Sequence, residues 1–361
     1  DEVAVKVEEP NSQIKNDQMV WNKLLEHEQG GFRGLAKFFD YVPAYKKRTQ
    51  CFMVTERLGP SLDALRNGSR RFAASAIPAV AHQALCMLRE VHVRGFVHRD
   101  VKPANFLVGI SNREQTLHLV DFGTTEPYLP LIQKQDRSGT LSYLPRGALL
   151  KQPLSRRDDL EGLCYTLLSL MAGSLPWQAE AIAASKMKGK KYEAANINLG
   201  NSRESAALKL AYELQPPNVS IMVVALLEYV YGLSPTEDPD YDLLLRHCSD
   251  ASANAASNIG GQMTVGFMPL PDLSLLVTTQ DKADPGLRLE NSAEIPTEDG
   301  GHSNPRGQPL GDSWICSGAQ DLEELGEMTY RDLQRVAKRV GVPANQNRVR
   351  LEAALARERE V

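Results

Sequence analysis

The pattern of apolar and polar positions predicts a chain that mixes strands and helices. Apolar segments that alternate or run continuously predict strands at residues 3–7, 106–108 and 116–120, and a strand running into a loop at residues 51–59. Apolar residues recur at helical spacing in residues 14–25 and 73–93, which predicts two amphipathic helices. A further apolar helix is expected to open at Ser155 and to continue through Met171.

The pattern changes after residue 249. Residues 250–320 are rich in small, polar, proline and glycine residues, and we interpret them mainly as a linker. The more apolar residues 263–278 are candidates for packing on the preceding domain. Helical spacing returns in residues 321–361, where Gly341-Val342-Pro343 separates two predicted helices. The sequence therefore predicts a large domain at residues 1–249, a linker and a small helix-turn-helix module.

Composition and charge restrict the class of protein. The 361 residues are 42% hydrophobic and 24% charged, which is typical of a soluble globular protein. A net charge of -4 argues against nucleic-acid binding by the whole molecule, so any such surface must be local. The five cysteines are scattered without metal-binding spacing, which suits a reducing compartment. No signal peptide or membrane-length apolar run is found, so we expect an intracellular monomer that does not bind membranes.

One stretch carries candidate chemistry. The residues from His98 to Asn105 read His-Arg-Asp-Val-Lys-Pro-Ala-Asn, and Asp121-Phe122-Gly123 begins sixteen residues later. Phosphoryl transfer needs positioned charge more than covalent help from the protein. Asp100 can orient an attacking hydroxyl, Lys102 can contact the transferred phosphate, and Asn105 with Asp121 can hold Mg²⁺. This order of residues is the signature of protein kinases, with Val101 in place of leucine.

Other residues complete a candidate ATP site. Lys6 lies in Val3-Ala4-Val5-Lys6, which matches the strand motif whose lysine holds the α- and β-phosphates. Asp17 falls where a glutamate usually pairs with that lysine; a solvated helix-surface carboxylate is the alternative. No G-x-G-x-x-G sequence occurs, so we expect a truncated small lobe and weak ATP binding. Adenine recognition is assigned to a hinge and the slot beside it: the backbone of Glu56 and Leu58, Thr55 behind the ring and Leu107 as its floor.

These motifs together resemble the casein kinase 1 superfamily, with tau-tubulin kinases and vaccinia-related kinases as similar relatives. The resemblance covers residues 3–249 and includes Ser-Arg-Arg-Asp-Asp-Leu-Glu at residues 155–161. It implies a bilobal α+β fold, Ser/Thr kinase activity without activation-loop phosphorylation, and an Asp159 that ties its helix to the catalytic loop. The sequence departs from the family at Leu144-Pro145-Arg146. A run of lysines is either a solvated face or an anion site for acidic or already phosphorylated substrates: Lys186, Lys188, Lys190 and Lys191.

Residues 321–361 resemble a SAP motif, and are most similar to the one in nucleolar and spindle-associated protein. The resemblance implies DNA binding through Arg348 and Arg350 near the start of the second helix, with added positive charge from Lys338 and Arg339 on the first. A two-helix module that contacts protein is the alternative.

We therefore expect a Ser/Thr protein kinase that uses ATP and Mg²⁺ and that its C-terminal module brings to chromatin. A nuclear location is favoured over a cytoplasmic one. The alternative function is a kinase-like scaffold with little or no activity that recruits partners to DNA.

Overall fold

The computed structural model describes residues 2–9, 13–25, 34–42, 50–66, 70–128, 139–256 and 268–276. The predicted C-terminal module at residues 321–361 lies outside the described residues. Its four candidate DNA-binding side chains therefore have no structural account: Lys338, Arg339, Arg348 and Arg350.

The first part of the chain forms a small lobe of one antiparallel sheet and one helix. It contains β1 at Val3–Glu8, α1 at Ile14–Leu25, β2 at Phe38–Val42 and β3 at Cys51–Glu56. Among the described strands the order is β1-β3-β2, and Lys6 lies opposite Met53. Every residue of β3 is buried because this strand is central. The α1 helix buries Ile14, Val20, Trp21 and Leu24, the face that its helical spacing predicts.

The remainder of the described chain forms a larger, mainly helical lobe. Its short strands are β4 at Phe96–Val97, β5 at Phe106–Val108, β6 at Leu117–Leu119 and β7 at Glu126–Pro127. Its helices are α2 at Leu62–Arg66, α3 at Ile77–Val93, α4 at Arg146–Leu149, α5 at Arg156–Ala172, α6 at Gln178–Ser185, α7 at Gly189–Glu213, α8 at Pro217–Gly232, α9 at Tyr241–Ala256 and α10 at Leu273–Leu276. None of the described helices is long and apolar enough to cross a membrane.

The core of this lobe surrounds α3 and α5, which pack on each other and on their neighbours α9 and α8, respectively. In α5, fourteen residues from Asp158 to Met171 are buried, because this helix is covered on all sides. A buried helix of this kind shows no single apolar face, and its polar residues must find partners inside the protein.

The two strand pairs of the large lobe position the candidate motifs. Strands β5 and β6 pair antiparallel, with Phe106 opposite Leu119 and Val108 opposite Leu117. Asn105 directly precedes β5, and Val120 and Asp121 directly follow β6. Because the strands are antiparallel, these residues lie at the same end of the hairpin. The Val120 N–H donates to the Asn105 carbonyl at 3.0 Å, which holds the two motifs together.

The folded part continues past residue 249. The α9 helix extends to Ala256, and Met268, Leu270 and Leu276 are buried in the same core as α3. The Gln83 side chain donates to the Met268 carbonyl at 2.8 Å, and the Ala73 N–H donates to the Leu276 carbonyl at 2.8 Å. Part of the apolar segment at residues 263–278 therefore packs on the large lobe.

Candidate active site

Asp100 lies at the centre of a buried polar cluster. Its Oδ1 accepts the Thr140 N–H at 2.9 Å, and its Oδ2 lies 3.0 Å from the Lys102 ammonium. Lys102 also donates to the Thr140 hydroxyl at 2.9 Å. The preceding residue, Gly139, has φ 113°, and a Cβ there would approach the Arg99 carbonyl to 2.8 Å. Thr140 was not among the predicted site residues; the Gly-Thr pair before an aromatic residue was the signal available.

Asn105 faces the same cluster. Its amide nitrogen donates to the Asp100 backbone carbonyl at 2.8 Å. The donor end of the amide is therefore committed to the catalytic loop, and the carbonyl oxygen is turned away from that contact. With one amide oxygen here and one carboxylate at Asp121, the site offers the hard oxygen ligands that suit Mg²⁺. Mg²⁺ commonly takes only one or two protein ligands and completes its shell with phosphates and water, so these residues fit the ion.

Lys6 joins the two lobes. Its ammonium lies 2.9 Å from Asp17 Oδ2, 2.9 Å from Asp121 Oδ1 and 3.1 Å from Glu8. Burial alone would lower the pKa of Lys6, but the three carboxylates outweigh it and hold that pKa well above its usual range. Burial would likewise raise the pKa of Asp121, but Lys6 holds it below its ordinary value. The lysine predicted to bind phosphates is therefore positioned and charged.

Asp17 occupies the position predicted for the partner of Lys6. Its side chain is fully buried, so the alternative of a solvated helix-surface carboxylate is wrong. Besides the Lys6 contact, its Oδ1 accepts the Phe122 N–H at 2.8 Å. Burial raises the pKa of Asp17 to about 6, although Lys6 opposes the shift. The shorter aspartate thus reaches both the lysine and the backbone of the second motif.

The α1 helix also fixes the Asp-Phe-Gly motif through residues that the sequence did not single out. The Asn16 amide donates to the carbonyls of Phe122, Gly123 and Thr125 at 3.1, 3.0 and 2.7 Å. The Phe122 ring packs edge-on between Trp21 and His98, with both centroid distances at 5.3 Å. Asp121 itself has φ 64°, a left-handed conformation for which these contacts compensate.

Asp159 on α5 anchors the catalytic loop, residues 98–105, through its backbone. This buried carboxylate accepts the His98 N–H at 2.6 Å and the Arg99 N–H at 2.8 Å, which confirms the predicted tie between helix and loop. It also contacts His92 Nε2 at 2.7 Å, and the other ring nitrogen of His92 contacts the Tyr241 hydroxyl. Burial would raise the pKa of Asp159, but these partners hold it below its ordinary value. His92 is therefore structural.

The hinge residues lie where β3 meets the large lobe. Thr55 and Glu56 are buried, and the Glu56 carboxylate contacts Arg113 at 2.6 Å and accepts the Lys37 N–H at 2.9 Å. Burial would raise the pKa of Glu56, but Arg113 lowers it. The assignment of Glu56 concerned its backbone; the structure adds a bracing role for its side chain.

The other two adenine-slot candidates lie next to this hinge. Leu58 is partly buried, and the following Gly59 N–H donates to the Val108 carbonyl at 2.8 Å. Ser61 forms an isolated bridge with Leu107 in β5. The structure thus brings Leu58 and Leu107 into one region between the lobes.

The segment at residues 141–146 follows the Asp100 cluster and is held by the buried Arg203 and by Trp177. Arg203 on α7 donates to the carbonyls of Leu141 and Leu144, at 2.6 Å for Leu141. The Trp177 ring nitrogen donates to the Ser142 carbonyl at 2.8 Å. Arg146, which departs from the family pattern, pairs with Glu161 and Glu204 and stacks 4.0 Å over the Tyr231 ring.

The four lysines of the basic run lie at the turn between α6 and α7, and all are exposed. No ion pair joins any of them to another described residue, so both expectations for this run, a solvated face and an anion site, remain predictions.

The site combines the buried Asp100 carboxylate with Lys102, which contacts both Asp100 and Thr140. Asn105 and Asp121 place two oxygen groups at one end of a hairpin, and Lys6 connects the two lobes. Residues 1–236 match the family model of the protein kinase domain. That match covers well over half of the sequence, and it includes every described residue discussed for the catalytic cluster. The chain therefore belongs to the protein kinase domain family.

Proposed function

We propose that this chain is a Ser/Thr protein kinase, similar to the casein kinase 1 superfamily, that transfers the γ-phosphoryl group of ATP to protein hydroxyls. The observation that carries the proposal is the contact of Asp100 with both Lys102 and Thr140. A carboxylate held by a backbone N–H and a lysine has a fixed orientation. A group that positions an attacking hydroxyl needs such a fixed orientation.

The same contact supports the proposed specificity for short hydroxyl side chains. Thr140 directly precedes the segment at residues 141–146, and its N–H and hydroxyl both lie 2.9 Å from atoms of the Asp100–Lys102 pair. A substrate chain lying along this segment would pass close to Asp100. Ser and Thr hydroxyls, which extend only a short way from the backbone, suit that spacing better than the hydroxyl of Tyr.

The proposed mechanism depends on six residues. Asp100 orients the attacking hydroxyl and accepts its proton, while Lys102 supplies positive charge near the transferred phosphate. Lys6 would hold the α- and β-phosphates of ATP, and Asp17 and Asp121 keep the Lys6 ammonium in place. Asn105 and Asp121 would hold Mg²⁺, which would supply positive charge for the phosphate oxygens.

The test replaces Asp100 by Asn in the full chain and measures phosphorylation of a serine peptide. We expect a loss of about 10²- to 10⁴-fold in kcat, typical of a removed general base, with ATP affinity almost unchanged. Asp250→Asn, at an exposed position on α9, is the matched control and should leave kcat unaltered. A tyrosine peptide should be a poor substrate.

The scaffold function makes the opposite prediction. If wild type and Asp100→Asn transfer phosphate equally slowly, while both bind the same protein partners, the catalytic proposal is wrong and the scaffold is supported. Equal activity of the two proteins at a normal kinase rate would remove Asp100 from the mechanism.

We further propose that residues 321–361 bind DNA and give the kinase a nuclear, chromatin-associated location. Support comes from the SAP-like sequence and from its basic residues. Arg348→Glu combined with Arg350→Glu should abolish a gel shift of the full chain on duplex DNA at low salt, and rising salt should weaken the wild-type shift. Arg357→Glu is the control. Absence of any wild-type shift would favour the protein-contact alternative.

A further inference from the structure

A groove of about 550 Å³ lies between α6 and α7, away from the catalytic cluster. Its lining is largely apolar and includes Pro176, Trp177, Met187 and Leu199. Met187 is 40% exposed, and Ile182 and Ile197 on the same two helices are also exposed. This volume falls in the range of sites that bind a few side chains of a ligand.

The basic run lies at one end of this groove. Lys186 and Lys188 are the chain neighbours of Met187, and Lys191 lies one helical turn before Ala195, another lining residue. All four lysines are exposed, and none forms an ion pair with another described residue. Glu180 also lines the groove, but the four lysines outnumber it, and the local charge is therefore positive. An occupant that fits has apolar side chains for the groove and carboxylates for the lysines.

We propose that this groove binds residues 321–328 of the same chain, Asp-Leu-Glu-Glu-Leu-Gly-Glu-Met. The segment has four carboxylates and no basic residue. Its apolar residues, Leu322, Leu325 and Met328, are spaced three apart, and this spacing would place them on one side of a helix. The carboxylates would meet the lysines while these three side chains enter the groove.

The length of chain between the two parts allows the contact. Leu276 is the last described residue, and 44 residues lie between it and Asp321. The root-mean-square span expected for a linker of that length is about 37 Å, comparable with the roughly 45 Å diameter of a domain of this size. A tether of this kind gives an effective concentration up to about the millimolar range. The chain's own segment should therefore exclude an acidic peptide that diffuses at micromolar concentration.

Docking at this place would reach the segment that faces the substrate. Trp177 lines the groove on one side and donates to the Ser142 carbonyl on the other. The Arg203 guanidinium, which binds the Leu141 and Leu144 carbonyls, lies 5.1 Å from the centre of the same Trp177 ring. The docked segment would also cover the lysines otherwise open to an acidic substrate. This inference concerns an internal contact and does not depend on catalytic activity.

The test is zero-length carbodiimide cross-linking of the full chain in dilute solution, followed by mass spectrometry of the monomer. We expect links from Lys186, Lys188, Lys190 or Lys191 to the acidic residues of segment 321–328. In the triple variant K188E/K190E/K191E, hydrogen-exchange protection at the α6–α7 turn should fall at least threefold. Adding E323K/E324K/E327K to this variant should restore the protection. Lys209→Glu, an exposed position on α7, is the matched control and should change nothing.

A second variant tests the apolar part of the contact without altering charge. Leu322→Ser with Leu325→Ser should raise hydrogen exchange at the α6–α7 turn about as much as the triple lysine variant. The proposal would be overturned if no links join the α6–α7 turn to segment 321–328. It would also be overturned if such links occur only in a cross-linked dimer, because a second copy would then be the occupant. A loss of protection in Lys209→Glu equal to that in the triple lysine variant would overturn it as well.

Discussion

Lengthening Asp17 to glutamate, the residue that protein kinases usually carry at this position, is predicted to impair the protein. The Asp17 side chain is fully buried, and both of its oxygens are used. One lies 2.9 Å from the Lys6 ammonium, and the other accepts the Phe122 N–H at 2.8 Å. An added methylene cannot keep both contacts without moving α1 or the Asp-Phe-Gly motif.

The size of the effect follows from these contacts. Inserting a methylene into a well-packed site typically costs about 1–3 kcal/mol, and a buried N–H left without a partner costs about 1–3 kcal/mol. Because α1 can relax partly, we expect about 2 kcal/mol of destabilisation. That is a large part of the roughly 5–15 kcal/mol of a typical domain. If displacement of Asp121 removes half of this free energy from transition-state stabilisation, kcat/KM should fall about fivefold.

The assay combines urea unfolding with steady-state kinetics at varied ATP. Asp17→Asn is the matched control, because its amide oxygen can still accept the Phe122 N–H while the charge facing Lys6 is lost. We expect Asp17→Asn to keep the fold and to raise the KM for ATP, and Asp17→Glu to lower both stability and kcat/KM. An Asp17→Glu protein at least as stable and as active as wild type would refute the reasoning.

Two further predictions concern Arg146 and Asp158, at and beside the end of the segment at residues 141–146. Burial, and then the nearby Glu161, raise the pKa of Asp158 to about 7, so the folded state binds this proton more tightly than the unfolded state. Stability should therefore rise as pH falls from 7 toward 4, and Asp158→Asn should stabilise the protein at pH 8 by at most about 4 kcal/mol. A urea-unfolding gain that is the same at pH 4 and pH 8 would contradict this. Arg146→Ala should raise the KM for a protein substrate severalfold and leave the KM for ATP unchanged, because Arg146 holds the end of the segment through Glu161 and Glu204. Equal increases in both KM values would instead indicate that the whole domain is destabilised.

Elements with strong periodicity were predictable from the sequence. The predicted helix at residues 14–25 is confirmed with the same bounds, and residues 106–108 form a strand as expected. Local motifs also fixed much of the site, because the Asn105 and Asp121 neighbourhoods are brought together by one hairpin whose strands were recognisable. A short antiparallel connection needs no information from distant parts of the chain.

The longest described helix, α7, was missed for a physical reason. Its buried positions include Asn196, Gly200 and Arg203, which are not apolar, so the helical period is weak. Gly200 packs closely against Leu150, where a Cβ would lie 3.0 Å from that side chain. Asn16 and Thr140 were missed differently: each acts through residues far away in sequence, which periodicity cannot reveal.

The segment at residues 141–146 is held by hydrogen bonds to its backbone carbonyls more than by contacts of its own side chains. Arg203 is fully buried, and burial lowers its pKa to about 10, so it remains charged at neutral pH. Its charge is balanced by carbonyls of the segment and by the faces of Tyr165 and Trp177. Removing a buried cation's partner is costly, whereas changing Leu141 leaves its carbonyl in place. Substitution at Leu141 can therefore alter substrate preference while the backbone path past Asp100 is retained.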